Sequence, residues 1–127
     1  MAYDDLLYSD PIMERAHQML DQIEEAAHEG QAERVLDGID DVIALYQEFP
    51  DSAWDALVML TRSRETTVRI AMAARGIPSV YNKVNPYFAL NLANWLLDDR
   101  NETVASTMRD VIAQLPDSEL RLRRPEL

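Results

Sequence analysis

Two copies of the pattern Glu-x-x-His lie in the first quarter of the chain, Glu14 to His17 and Glu25 to His28. On a helix this spacing puts a carboxylate and an imidazole on one face, as in di-iron bundles, which take the motif from two different helices. Here one helix carries both copies, beside its apolar stripe. We therefore expect a hydrated acidic flank with no metal and no cofactor. Metal binding at His17 or His28 is the alternative, and it requires stoichiometric metal that His17→Ala or His28→Ala removes.

The sequence offers no other arrangement for catalysis. It has no cysteine, and its three glycines do not form a phosphate-binding loop. No serine lies in a nucleophile elbow. We expect a protein that is not an enzyme. The missing cysteine, the acidic N-terminus and the lack of a membrane-length apolar run favour a cytoplasmic protein that does not enter a membrane.

The charge is distributed unevenly along the chain. Residues 1–60 contain 15 acidic residues and only two arginines, whereas residues 61–127 contain eight acidic and ten basic residues. Five acidic residues lie opposite the apolar stripe of the second predicted helix: Glu33, Asp37, Asp40, Asp41 and Glu48. An electronegative surface of this kind attracts a basic partner and accelerates association with it. The alternative is an outer face whose acids only keep the protein soluble.

These features predict a non-catalytic protein–protein interaction protein. The favoured form is an acidic stoichiometric inhibitor or regulator that docks on a basic partner, at its sharpest a nucleic-acid mimic whose carboxylates replace phosphates. This composition also suits phage and other accessory proteins. The alternative is an assembly subunit, a homo-oligomer formed through the apolar and basic residues of its two ends, which are Tyr3, Leu6, Leu7, Tyr8 and residues 120–124.

The segment RGIPSVYNKVNPYF, residues 75–88, interrupts the helical pattern. Pro78 and Pro86 are expected to prevent one continuous helix, because proline lacks the N–H group and clashes with the preceding turn. A short helix or turn is predicted between the two prolines, and the segment serves either as a plain connector or as a partner-contact loop. The contact residues would be Tyr81, Asn82, Lys83 and Tyr87.

Residues 64–86 also loosely resemble a helix-turn-helix, with the turn at Gly76 and Pro78. Arginines before the turn would contact phosphates, and Tyr81 to Lys83 would contact bases. The net charge of −11 opposes affinity for DNA, and Pro86 leaves the second helix short. Direct nucleic-acid binding is therefore a second alternative that we do not expect.

The elements that must position these residues are all helical. The first helix is predicted to start at Ser9-Asp10-Pro11 and to end at Gly30. The second helix follows almost at once and is predicted to end at Pro50. The short turn at Gly30 between these two helices predicts an antiparallel hairpin. Later helices are predicted to be capped by Asp51-Ser52, Asn85 and Asn101. The apolar residues of these helices include Trp54 and Trp95, and Trp95 is predicted to point inward. The expected fold is a compact, single-domain, all-α bundle of five to six helices over residues 11–116. Residues 1–10 are predicted to be an N-terminal arm, and residues 117–127 are predicted to be a flexible tail.

Overall fold

The computed structural model describes residues 11–115, which form helices joined by short turns. In chain order they are α1 (Pro11–His28), α2 (Ala32–Leu45), α3 (Pro50–Thr61), α4 (Thr66–Ala71), a π-helical turn (Met72–Gly76), α5 (Ile77–Lys83), α6 (Pro86–Leu97) and α7 (Glu102–Ile112). The segments from α4 to α5 are continuous, so the described residues make six separate helices. The predicted all-α bundle of five to six helices is confirmed. The predicted arm and tail, including the apolar and basic end residues, lie outside the described residues.

The hairpin of α1 and α2 opens the fold as predicted. Gly30 adopts a left-handed conformation with a φ of 75°, and its N–H and that of Gln31 bond back to carbonyls of the last turn of α1. This turn reverses the chain within three residues, so that Ile23 of α1 faces Gly38 of α2. Nearer the open end of the hairpin, Ala16 and Leu45 share a small apolar cluster.

Gly38 lies where the two helices of the hairpin approach each other closely. A Cβ atom at this position would overlap Cγ1 of Ile23 and lie 3.0 Å from its Cδ1. We therefore expect Gly38→Ala to destabilise the protein, since overpacking costs about 1–3 kcal/mol and exceeds the roughly 1 kcal/mol gained in helix propensity. Urea unfolding measures the change. Ala44→Gly, at an exposed position of α2, isolates the propensity effect, and a stabilised Gly38→Ala protein would contradict the prediction.

The hydrophobic core runs through every helix, with α2 near its centre. Val35, Ile39 and Val42 of α2 are fully buried, as are Met72 of the π-helical turn and Met108 of α7. The apolar stripes predicted for the first two helices contribute to this core. Burial of these stripes provides the main favourable free energy of folding.

The junction between α2 and α3 differs from the prediction. α2 ends at Leu45, well before Pro50, and Pro50 is the first residue of α3. Proline is favoured there because a first-turn N–H has no partner within the helix. Asp51 and Ser52 therefore lie inside the helix and do not cap it. The other two caps are confirmed, because Asn85 Oδ1 accepts hydrogen bonds from two N–H groups of α6 and Asn101 Oδ1 accepts two from α7.

The prediction of a break at residues 75–88 is wrong at Gly76 and Pro78. The helix passes through both residues by means of the π-helical turn, in which the Ile77 N–H bonds to the carbonyl of Met72, five residues earlier. This wider turn accommodates Pro78, which has no N–H to donate and whose ring would crowd a regular helix. The turn that a helix-turn-helix requires is therefore not present at Gly76. Pro86 does start a new helix.

A polar network joins the two ends of the α4–α6 region. The Arg69 side chain donates to both carboxylate oxygens of Asp99, at 2.7 and 3.3 Å, and to the carbonyl of Ser63 at 2.7 Å. Ser63 in turn donates from its hydroxyl to Glu24 of α1 at 2.7 Å. The side chains of Arg69 and Asp99 are only 18% and 10% exposed. The network thus connects α1, the α3–α4 turn, α4 and the turn before α7.

Asp99 should make part of the stability dependent on pH. Burial raises the pKa of Asp99, but hydrogen bonds from Arg69 and the Asn101 N–H, together with the charges of Arg69 and Arg100, place it below its ordinary value of 3.8. A lowered pKa contributes stability above the pKa of the unfolded chain, and this contribution is lost as the pH falls below about 4 and through the folded-state value. The stability difference between wild type and Asp99→Asn should therefore shrink from pH 6 to pH 2.5 in urea unfolding. A difference that stays constant over this pH range would show that ionisation of Asp99 does not contribute to the free energy of unfolding.

Candidate functional site

Three of the five predicted acidic residues form a line on the outer face of α2. Glu33, Asp37 and Asp41 follow one another at steps of four residues, and all three are exposed. Consecutive members are therefore about 6 Å apart along the helix axis. Among the described residues, no arginine or lysine lies within 4.0 Å of these carboxylates. We call Glu33, Asp37 and Asp41 the acidic line.

The structure does not place the other two predicted acids in the acidic line. Asp40 is half-buried and accepts from Arg75 at 2.7 and 3.4 Å, so its charge is compensated within the protein. Glu48 is exposed but follows the end of α2. The helical pattern identified the polar side of α2 correctly. It did not reveal that Arg75, 35 residues later, returns to neutralise Asp40.

A shallow cleft runs along the acidic line, between α1 and α2. Asp37 and Asp41 line it together with Gln22 of α1 and Arg34. Arg34 Nη1 donates to the side chain of Gln31 at 2.7 Å and forms no ion pair with Asp37 or Asp41. The acidic line therefore borders a concave surface that is lined by the Asp37 and Asp41 side chains.

The residues of the predicted partner-contact loop lie in two helices. Tyr81, Asn82 and Lys83 are the last three residues of α5. Tyr81 is half-buried against the core, whereas Asn82 and Lys83 are exposed. Tyr87 lies in the first turn of α6, with 54% of its surface exposed. Because of the continuous helix, these residues surround a helix–helix junction and do not form a contiguous loop surface.

The two histidines do not come together. His17 lines a cleft between α1 and α3, whereas His28, at the end of α1, lies 4.0 Å from a carboxylate oxygen of Glu65. Within residues 11–115, no group of three histidine, aspartate or glutamate side chains is arranged to hold a metal ion.

Exposed apolar side chains include one that was predicted to lie in the core. Both tryptophans of the chain are substantially exposed, Trp54 at 41% and Trp95 at 55%, and Met59 on α3 is 51% exposed. The prediction that Trp95 points inward is wrong. α6 is apolar on most sides, so its sequence does not identify which residues face outward. The core takes Phe88, Leu92 and Leu96, and Trp95 is left on the surface.

Each tryptophan is held by one aromatic or cationic contact. The Trp54 ring stacks on Phe88 with centroids 3.5 Å apart and ring planes inclined by 13°. The guanidinium carbon of Arg62 lies 4.7 Å from the centre of the Trp95 ring, within the range of a cation–π interaction. Side chains that are already held in place lose little conformational freedom on binding. Tryptophan is also enriched among the residues that dominate binding energies.

Comparison with protein-family models, with curated proteins and with solved structures found no match. Within residues 11–115, no helix combines the length and the hydrophobicity that a membrane span needs.

Proposed function

We propose that this chain is a non-catalytic binding protein, an acidic inhibitor or regulator that docks on a basic surface of another protein in the cytoplasm. The observation that supports this proposal is the acidic line, three exposed carboxylates with no ion-pair partner among the described residues. Carboxylates without an ion-pair partner attract a basic surface more strongly than carboxylates that are neutralised within the protein. Asp40 contributes less negative charge to this surface, because it forms an ion pair with Arg75.

Charge density decides how closely the surface can imitate a nucleic acid. The acidic line carries one charge about every 6 Å, whereas each strand of DNA carries one about every 3.4 Å. One helix therefore reproduces roughly half the charge density of a strand. This ratio favours docking on a basic patch over filling an entire nucleic-acid groove, and a partner that handles nucleic acid is the more specific form of the proposal.

The first test is a tagged pull-down with the full chain from its source cells, in the presence of nuclease. We expect one protein to be retained, and we expect Asp37→Lys/Asp41→Lys to weaken its binding at least tenfold. Because the attraction is electrostatic, raising the salt from 50 to 500 mM should also release the partner.

The matched control is Asp98→Lys/Asp110→Lys, which changes the net charge equally at exposed positions on other parts of the bundle. It should retain most of the binding. Equal loss in both double variants would show that only overall charge matters. Binding that is insensitive to salt and to Asp37→Lys/Asp41→Lys would refute the proposal.

A further inference from the structure

The exposed side of α3 forms a ridge with a cleft on each side. Trp54 and Val58, one helical turn apart, line both clefts. The cleft toward α1 has a volume of ≈ 370 Å³, and His17, Leu20 and Met59 contribute to its lining. The cleft toward α6 has a volume of ≈ 210 Å³. We call this surface the Trp54 ridge.

The second cleft is lined by aromatic rings from two helices. Phe88 and Trp95 of α6 and Trp54 of α3 surround it, and Arg62 lies at its edge over Trp95. Exposed tryptophan and methionine side chains at paired concave sites are typical of surfaces that receive apolar side chains from a partner. The two clefts lie on opposite sides of one helix. This arrangement suits two apolar side chains that lie one or two turns apart on a second helix, a separation of about 5–10 Å.

The charges around the ridge differ between its two sides. Asp55 lines the cleft toward α1, and Asp51, one turn earlier on α3, is also exposed. On α1, exposed Glu14 and Asp21 flank His17 at helical spacing. None of these four carboxylates has an ion-pair partner among the described residues. The cleft toward α6 has Arg62 at its edge and no acidic lining residue.

We propose that the Trp54 ridge binds an amphipathic helix of a partner protein. The helix places one apolar side chain in each cleft and carries lysine or arginine beside the anchor that enters the cleft toward α1. We favour a basic helix over a second copy of this chain as the occupant. A second copy would bring another net charge of −11 to the exposed carboxylates beside the cleft toward α1. The inference rests on the proposed function, since it specifies which segment of a basic partner is bound.

A selection from a displayed library of 16-residue helical peptides with randomised surface positions tests the inference on the full chain. Peptides should be enriched that carry apolar residues at i and i+4 or i+7, with lysine or arginine near one end. Binding should shift the tryptophan emission to the blue, since both tryptophans of the chain lie at the site. Trp95→Ala should lower the affinity for the selected peptides at least tenfold.

Asp55→Lys provides a variant that keeps the apolar surface and should fold normally, because Asp55 is exposed. This substitution should lower the affinity for the basic peptides at least fivefold. It should raise the affinity for versions in which the basic residues are replaced by glutamate. Asp110→Lys, an equal change of charge at an exposed position of α7, should leave the affinity for these peptides close to that of wild type. Peptides that bind Asp55→Lys and Trp95→Ala as well as wild type would overturn the inference.

Two other occupants give distinct results that would also overturn it. If removal of residues 1–10 alone shifts the tryptophan emission and creates the peptide site, the chain's own segment covers the ridge. If sedimentation shows a dimer that Trp95→Ala dissociates, a second copy covers it. A retained partner in the pull-down with no peptide selected would reject only the helix inference. Selected peptides with no partner sensitive to Asp37→Lys/Asp41→Lys would reject only the proposed function.

Discussion

Replacing Ile39 by alanine is expected to lower the free energy of unfolding by about 2–5 kcal/mol, the range for removing a large aliphatic side chain from a core. Ile39 is fully buried in α2. A Cβ atom on Gly76 would lie 3.4 Å from its Cγ2, so the side chain packs α2 against the π-helical turn. Since natural domains have only about 5–15 kcal/mol of stability, this loss is a large fraction of the total.

Urea unfolding followed by far-UV circular dichroism measures this effect. Ile39→Val should cost only about 0.5–1.5 kcal/mol, because it removes a single methylene group. Leu36→Ala, on the same helix but at a half-buried position, should cost less than Ile39→Ala. If both alanine variants are equally destabilised, Ile39 does not have the central packing role that the structure gives it.

Arg69→Met is expected to lower the free energy of unfolding by about 3 kcal/mol. The substitution keeps most of the side-chain stem but leaves the carboxylate of Asp99 largely buried without its cation, and breaking one side of a buried pair costs about 3–5 kcal/mol. It also removes the donor to the Ser63 carbonyl. The ion pair is 2.7 Å long and its side chains are 18% and 10% exposed, so water compensates little.

Arg109→Met is the matched control, because Arg109 forms a pair with Glu102 of the same 2.7 Å length but with both side chains exposed. Surface pairs contribute little, so this variant should remain close to wild type. The double variant Arg69→Met/Asp99→Asn should recover part of the loss, since it no longer buries an unpaired charge. Equal effects at Arg69 and Arg109 would contradict the structural assignment.

The predicted arrangement of the acidic residues agrees with the structure only where it depends on one helix. Glu33, Asp37 and Asp41 form a line because helical periodicity alone places residues four apart on one face. Asp40 was lost from the set because Arg75 reaches it from the π-helical turn. Such a pairing depends on how two elements pack, which periodicity within one element does not contain.

The Trp54 ridge could not be predicted for a related reason. Trp54 and Trp95 lie in apolar helices, and hydrophobicity alone favours burial for both. A sequence signal did exist, since α6 has more apolar residues than one packed face can bury. Only the packing of α3 between α1 and α6 determines which of them remain on the surface.

The sequence by itself determined the helical class, the opening hairpin, the caps at Asn85 and Asn101 and the polar side of α2. These features are local, because turn conformation, capping and periodicity act within a few residues. The tertiary structure alone decided that the helix continues through Pro78, that Arg69 joins Asp99 and that two tryptophans remain exposed. These outcomes depend on contacts between distant segments, where the competition for a limited core volume selects which side chains are buried.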